Sequence, residues 1–180
     1  MAGIFQRLRS LFHRYPLASN MVICGSLYGS GDISQQKLRG KQLDWKNTGR
    51  IAFIAFTMFG PIYFHWYRVL DRIVKGKGTS SVVSKVLLDQ FVMGPPCIGI
   101  FYVGTSILEG KEDVLAEFKS KGMKTFVAES GFWLPFQSVN FLFLPTHLRT
   151  AFVSMGAFAW SNVLCYIKAG DGHTLEDAFQ

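Results

Sequence analysis

Charged residues fall in clusters along this chain and leave five long uncharged gaps, at 15–31, 51–67, 90–108, 130–148 and 150–167, with His65 and His147 taken as neutral. Each gap is close to the ~20 residues a helix needs to cross a bilayer. One such gap could be a buried helix of a soluble core. Five leave too little amphipathic sequence to enclose one. The pattern predicts an all-α integral membrane protein, a bundle of four to five transmembrane or membrane-embedded helices behind an N-terminal amphipathic helix. Spans are expected near 17–35, 51–70, 90–108 and 150–167, with 130–148 spanning or half-spanning. The expected organisation is a basic segment at 1–15, one polytopic membrane domain at 16–168 and a polar tail at 169–180.

The polar residues inside the gaps then need an explanation, because an amide or carboxylate facing lipid is costly. Trp133, Gln137, Asn140 and Leu144 stand at i, i+4, i+7 and i+11 and share one helical face, which must meet other helices or water. Asp89 and Gln90 open the third gap. Asp89 either pairs with Lys85 four residues earlier or forms part of a site. Asp32 and Gln35 have the spacing of a capping box, and Asp32 could equally face a polar interior. His65 sits with Trp66 and Tyr67 in what reads as an interfacial belt rather than a pH sensor. Arg68, Asp71 and Lys75 have the spacing of a salt-bridged helix end. The candidates for a pore or polar interior are thus Asp32, Gln35, His65, Asp89, Gln90, Gln137, Asn140 and Arg149.

Prolines punctuate the same gaps. Pro61, Pro95, Pro96, Pro135 and Pro145 are expected to break or bend their helices. Gly25 and Gly29 have G-x-x-x-G spacing, which lets helix backbones approach closely. Packing within the chain is the preferred reading, and pairing into a homo-oligomer is the alternative. The stretch at 109–129 mixes both charge signs and reads as a solvated helix.

Composition narrows the function. Hydrophobic residues make up 49% and charged residues 17%, below the ~25% of an ordinary soluble domain. The net charge of +7 is spread between the gaps, as juxtamembrane residues that meet lipid headgroups. It forms no basic groove with stacking aromatics, so direct nucleic-acid binding is not expected. Cys24, Cys97 and Cys165 lie singly in apolar surroundings, with neither disulfide nor zinc spacing. No metal site, cofactor motif or catalytic constellation is visible, and the expectation is a protein that is not an enzyme.

At the start, Ile4, Phe5, Leu8, Leu11, Phe12 and Tyr15 share a helical face, accompanied by Arg7, Arg9 and Arg14, and no acid precedes Asp32. This fits a basic amphipathic helix on a membrane surface or an uncleaved organellar address.

The segments GPIYFHWYRVLDR (60–72), LLDQFVMGPP (87–96) and NFLFLPTHLR (140–149), with PLASNMVICGSLYGSGDISQQ (16–36) and Trp160, resemble the Mpv-seventeen/peroxisomal membrane protein family. FYVGTSILEGKED (101–113) resembles its Mpv-seventeen-like protein branch. In one departure, Leu134 stands between Trp133 and Pro135, where many members place proline directly after tryptophan. The resemblance implies a small multi-span protein of the mitochondrial inner membrane or the peroxisomal membrane. It also implies channel-like solute permeability, reactive-oxygen metabolism and mitochondrial DNA maintenance. By match to the motifs, the family's polar positions fall on Asp32, Gln35, His65, Asp71, Asp89, Gln90, Gln137, Asn140 and Arg149. The expected partners are the lipid bilayer and small solutes. A non-conducting scaffold or assembly factor is the alternative, with the polar residues then acting as interhelical bonds.

The N-terminal reading yields a test. Replacing Arg7, Arg9 and Arg14 by glutamate reverses the attraction to anionic lipid and import machinery. The variant is expected to reach its organelle less efficiently by microscopy; unchanged delivery would refute the targeting role.

Overall fold

The computed structural model describes residues 14–76, 78–143 and 146–170, with the backbone alone at 140–142, 146–151 and 154. The expected amphipathic helix at 1–13, Pro145 and the tail from 171 lie outside the described residues. All regular structure among the described residues is helical.

Helix α1 (Pro16–Leu38) starts at a proline whose fixed φ suits the first turn. It ends where Gly40 takes a φ of 64°, a left-handed conformation that glycine adopts without a Cβ clash. The Asp44 carboxylate caps α2 (Trp45–Ile54) by accepting from the Asn47 amide at 2.9 Å. The helix then widens into a π-helical turn, Ala55–Phe59, and continues as α3 (Gly60–Ile73). The next rod repeats the design: α4 (Thr79–Leu88), a π-helical turn Asp89–Met93, and α5 (Gly94–Glu109). Helices α6 (Ala116–Phe143) and α7 (Thr146–Ala169) complete the described chain.

At three of the sites where prolines are expected to break or bend their helices, the helix is not broken. At Gly60-Pro61 and at Gly94-Pro95-Pro96 the chain stays helical, because each proline follows a π turn. The Gly60 amide donates to the Ala55 carbonyl five residues back, and the Gly94 amide to that of Asp89. The extra residue in the turn accommodates a ring that would otherwise clash with the preceding turn. Pro135 likewise lies inside α6 without ending it. The charged stretch expected as a solvated helix supplies, over 116–129, the first half of α6; it is largely exposed or half-buried, but Thr125 is fully buried and its hydroxyl lies 2.7 Å from that of Tyr102.

Five rods result, and contacts join them in a ring. The rod α2–α3 lies against α1 and α5, α5 against α6, α6 against α7, and α7 returns to α1. An odd number of up-and-down rods makes the closing pair, α1 and α7, parallel. Small residues bring the rods together. A Cβ on Gly25 would stand 3.2 Å from that of Phe56, one on Gly29 3.3 Å from that of Ala52, and one on Gly60 2.5 Å from the Met21 Cα. The G-x-x-x-G pair thus packs within the chain. Among the described residues, one continuous helix, Thr79–Glu109, is long and apolar enough to cross a membrane by that measure alone.

The ring has two unlike ends. At the end where α1 and α7 finish, Asp32 is nearly fully buried inside α1, so it caps no helix. Its carboxylate accepts from Gln36 Nε2 and Thr48 Oγ1, each at 2.6 Å, and from Asn47 Nδ2 at 3.1 Å. Beyond this network lies a four-charge clamp. Lys168 Nζ is 2.8 Å from Glu109 and 3.2 Å from Glu117, and Lys111 Nζ is 2.7 and 2.9 Å from the same two carboxylates. Lys121 donates to the Lys168 carbonyl at 2.6 Å, while Arg39 donates to the carbonyls of Tyr166 and Ala169. Burial works to raise the Glu117 carboxyl, but Lys111 and Lys168 outweigh it and hold it below the ordinary 4.5. Burial likewise opposes charge on Lys111, and its two carboxylate partners still keep it above the ordinary 10.5.

Two predictions follow from the packing and the clamp. Gly60→Ala overpacks α3 against Met21 and should cost about 1–3 kcal/mol. Gly49→Ala, with open space around it, should be neutral or slightly stabilising in the same detergent melts. Lys168→Met should cost about 2 kcal/mol, because two part-buried carboxylates lose one of their cations. A carboxyl with a lowered pKa stabilises the fold above its unfolded value and loses that contribution as pH falls through the folded value. The Glu117 contribution is therefore present above about pH 4.5 and lost below it. Lys168→Met should flatten that acid-side loss of melting temperature.

Candidate functional site: a polar cavity in the bundle

A cavity of about 240 Å³ occupies the half of the ring nearer the start of α1 and the end of α6. The second of the repeated design elements shapes it. The π turn at Asp89–Met93 carries Asp89 and Gln90 into it, and the glycine after each π turn admits a close neighbour. Trp66 Nε1 donates to one Asp89 oxygen at 2.8 Å, and the Tyr67 hydroxyl to the other at 3.3 Å. The expected Lys85–Asp89 pair is not formed, because Lys85 reaches across to the exposed Asp71 instead. Asp71 is thereby taken from the expected pairing with Arg68 and Lys75, and Arg68 lies 3.9 Å from the centre of the Phe64 ring.

Gln90 is buried, and its Nε2 donates to Ser130 Oγ at 3.0 Å; that hydroxyl in turn donates to the Phe126 carbonyl. One turn along, Glu129 presents a carboxylate whose Oε2 is buried and has no hydrogen-bond partner among the described residues. A Cβ on Gly94 would stand 3.0 Å from that oxygen, so the second glycine is what admits the glutamate. Trp133 and Gln137 continue along α6 into the cavity, on the shared face expected from their spacing. Tyr28, Tyr63, Tyr67 and Asn20 complete its polar lining, and the Asn20 amide donates to the Gly60 carbonyl at 2.7 Å.

The structure thus brings Asp89, Gln90 and Gln137 together and separates them from the other candidates. Asp32 and Gln35 lie behind a layer of buried side chains, Phe59, Phe101, Tyr102 and Leu164, toward the clamped end. His65 is exposed, with its ring against Phe64. The side chains of Asn140 and Arg149 lie outside the described residues. Sequence reading missed Glu129, Trp66 and Tyr67 as site residues. Glu129 directly precedes an uncharged gap, as Asp89 does, and that shared position was the available signal.

Chemically, among the described residues, the lining offers two carboxylates, three amides and three phenols, with no basic side chain. It suits small polar or cationic solutes better than anions. Cys24 and Cys97 border it as buried free thiols. Among the described residues, no group of three or more His, Cys, Asp or Glu side chains is placed to hold a metal ion.

Comparison with known proteins accords with this arrangement. The Mpv17 / PMP22 family profile matches residues 106–165. An "Mpv17-like protein" of Bos taurus is 33% identical over 99% of this chain and 91% of its own length. One of Xenopus laevis is 36% identical over 88% and 79%. The "Mitochondrial inner membrane protein Mpv17" of Danio rerio is 32% identical over 92% and 97%. No solved structure matches. Together with relatives of the PXMP2/4 family, these proteins place the chain in the mitochondrial inner membrane or the peroxisomal membrane. With such identities over nearly whole lengths, the chain belongs to the Mpv17 / PMP22 family.

Proposed function

We propose that this protein spans its membrane with the five-rod ring and serves as a channel-like permeability module for small solutes, catalysing no reaction. In this reading it supports reactive-oxygen metabolism and mitochondrial DNA maintenance, the roles that the family resemblance implies. The observation that carries the proposal is the inversion of polarity across the ring. Large apolar side chains such as Val22, Phe53, Phe91, Val127 and Met155 are exposed on the outside. Carboxylates, amides and phenols line a cavity within. In water such an exterior would be a liability, and in lipid it is the suitable solvent-facing surface. Polar groups at membrane depth are costly and mark pathways or sites.

One observation favours the second reading, a non-conducting scaffold. The buried layer at Phe59, Phe101, Tyr102 and Leu164 closes the cavity toward the clamped end. A solute pathway therefore requires that layer to move, whereas a scaffold does not.

Purified protein in planar bilayers separates the two. The channel reading predicts conductance above blank membranes, with cations preferred over anions because Asp89 and Glu129 face the cavity and no basic side chain lines it among the described residues. Asp89→Asn with Glu129→Gln should remove that preference and leave insertion intact. Gln137→Leu should alter conductance with little change in melting temperature. Absence of conductance at every voltage and pH would refute the channel and leave the scaffold.

A further inference from the structure

A second concavity lies on the outside of the ring, between the first half of the α2–α3 rod and α5. Phe53, Thr57 and Met58 form one wall, and Pro96, Ile100 and Ile107 the other. Its volume is about 570 Å³. Gly99 and Gly104 keep it deep; only Ile54 approaches Gly104 closely, with its Cδ1 3.1 Å from where a Cβ would stand.

Two features point to its occupant. The first is length. From Leu108 to Pro96 the groove follows α5 for about 18 Å at 1.5 Å per residue. That is close to the ~15 Å depth of one leaflet's hydrocarbon. The second is charge. Lys46 and Arg50 precede Phe53 and Ile54 on the same stripe of α2, at successive i, i+4 steps. Neither has an ion-pair or hydrogen-bond partner among the described residues. Trp45, 65% exposed, marks the same level as a membrane–water interface. An apolar slot one leaflet deep thus ends beneath two uncommitted cations.

We infer that this groove is a binding site for an anionic phospholipid, with an acyl chain between α2 and α5 and the headgroup phosphate on Arg50 and Lys46. The inference rests on the membrane-spanning reading above. It is independent of whether the ring conducts. A bound lipid would cover the seam where α2 meets α5 and brace the ring there.

The test is native mass spectrometry of the full chain in detergent, titrated with equal dioleoylphosphatidylglycerol and dioleoylphosphatidylcholine. The acyl chains are identical, so only the headgroup discriminates. Wild-type protein should retain the anionic lipid with a preference of roughly thirtyfold, the scale expected for two basic residues near a headgroup. Lys46→Gln with Arg50→Gln should bring the ratio near one. Val103→Trp, which fills the slot, should lower retention of both lipids, and glycerol phosphate without acyl chains should not compete. Equal retention by wild type, an unchanged ratio in the double variant, or a dimer that excludes lipid from the groove would overturn the site. Alkaline carbonate extraction of the same variants keeps the two ideas apart. Extracted protein refutes the spanning reading itself, whereas inserted and thermally stable protein without headgroup preference refutes the lipid site alone.

Discussion

The close approach of α1 and α7 at Gly31 and Ser161 makes the bundle a ring. A Cβ on Gly31 would stand 2.0 Å from Ser161 Oγ, so only glycine fits. That hydroxyl donates to the Phe158 carbonyl at 2.7 Å within its own helix and lies 3.3 Å from the Leu27 carbonyl across the seam. Backbones this close gain van der Waals contact along the seam. Without this seam, the first and last rods would not meet. The inner faces of α1, α6 and α7, with Asn20, Glu129 and Gln137, would then lose their enclosure.

Closing the ring creates an interior, and the two π turns that precede the prolines shape it. Both turns precede a Gly-Pro pair and re-phase the helix after them. One brings Asp89 and Gln90 inward, and its glycine makes room for Glu129. The other brings Gly60 against Met21 and leaves its carbonyl to Asn20. Polarity inside the ring is therefore divided. The half with Asp89 and Glu129 is hollow, and the half with Asp32 is filled by a hydrogen-bond network under a clamp of four charges, where only the buried Gln35 Nε2 lacks a partner among the described residues of that network.

Much of the fold was legible in the spacing of charges, because a helix surrounded by apolar material cannot carry them. Four of the five uncharged gaps lie within a single rod but for Tyr15, whereas the gap at 130–148 runs from α6 into the start of α7. The shared face of Trp133 and Gln137 was legible for the same reason that helical periodicity is regular. The prolines misled, because the local rule that proline disrupts the preceding turn is satisfied by a π turn, a choice made over several residues and stabilised by neighbouring rods. Pairings misled too. Lys85 and Asp89 have suitable spacing on one helix, yet Asp71, Trp66 and Tyr67 on the adjacent rod compete for them. Glu129 reads from the sequence as part of a solvated helix and Lys168 does not stand out, and only the closed ring shows one facing a cavity and the other buried between two carboxylates.

The native cysteines report directly on the central claim, a ring with a cavity open to one half and sealed from the other. Cys24 and Cys97 border the cavity, whereas Cys165 lies in the core toward the clamped end. Intact protein in vesicles would be treated with a small, cationic, membrane-impermeant methanethiosulfonate and read peptide by peptide by mass spectrometry. Modification of Cys24 and Cys97, with Cys165 reacting only after unfolding, is the predicted result. Reaction of Cys165 as fast as Cys97, or protection of all three until unfolding, would contradict the account.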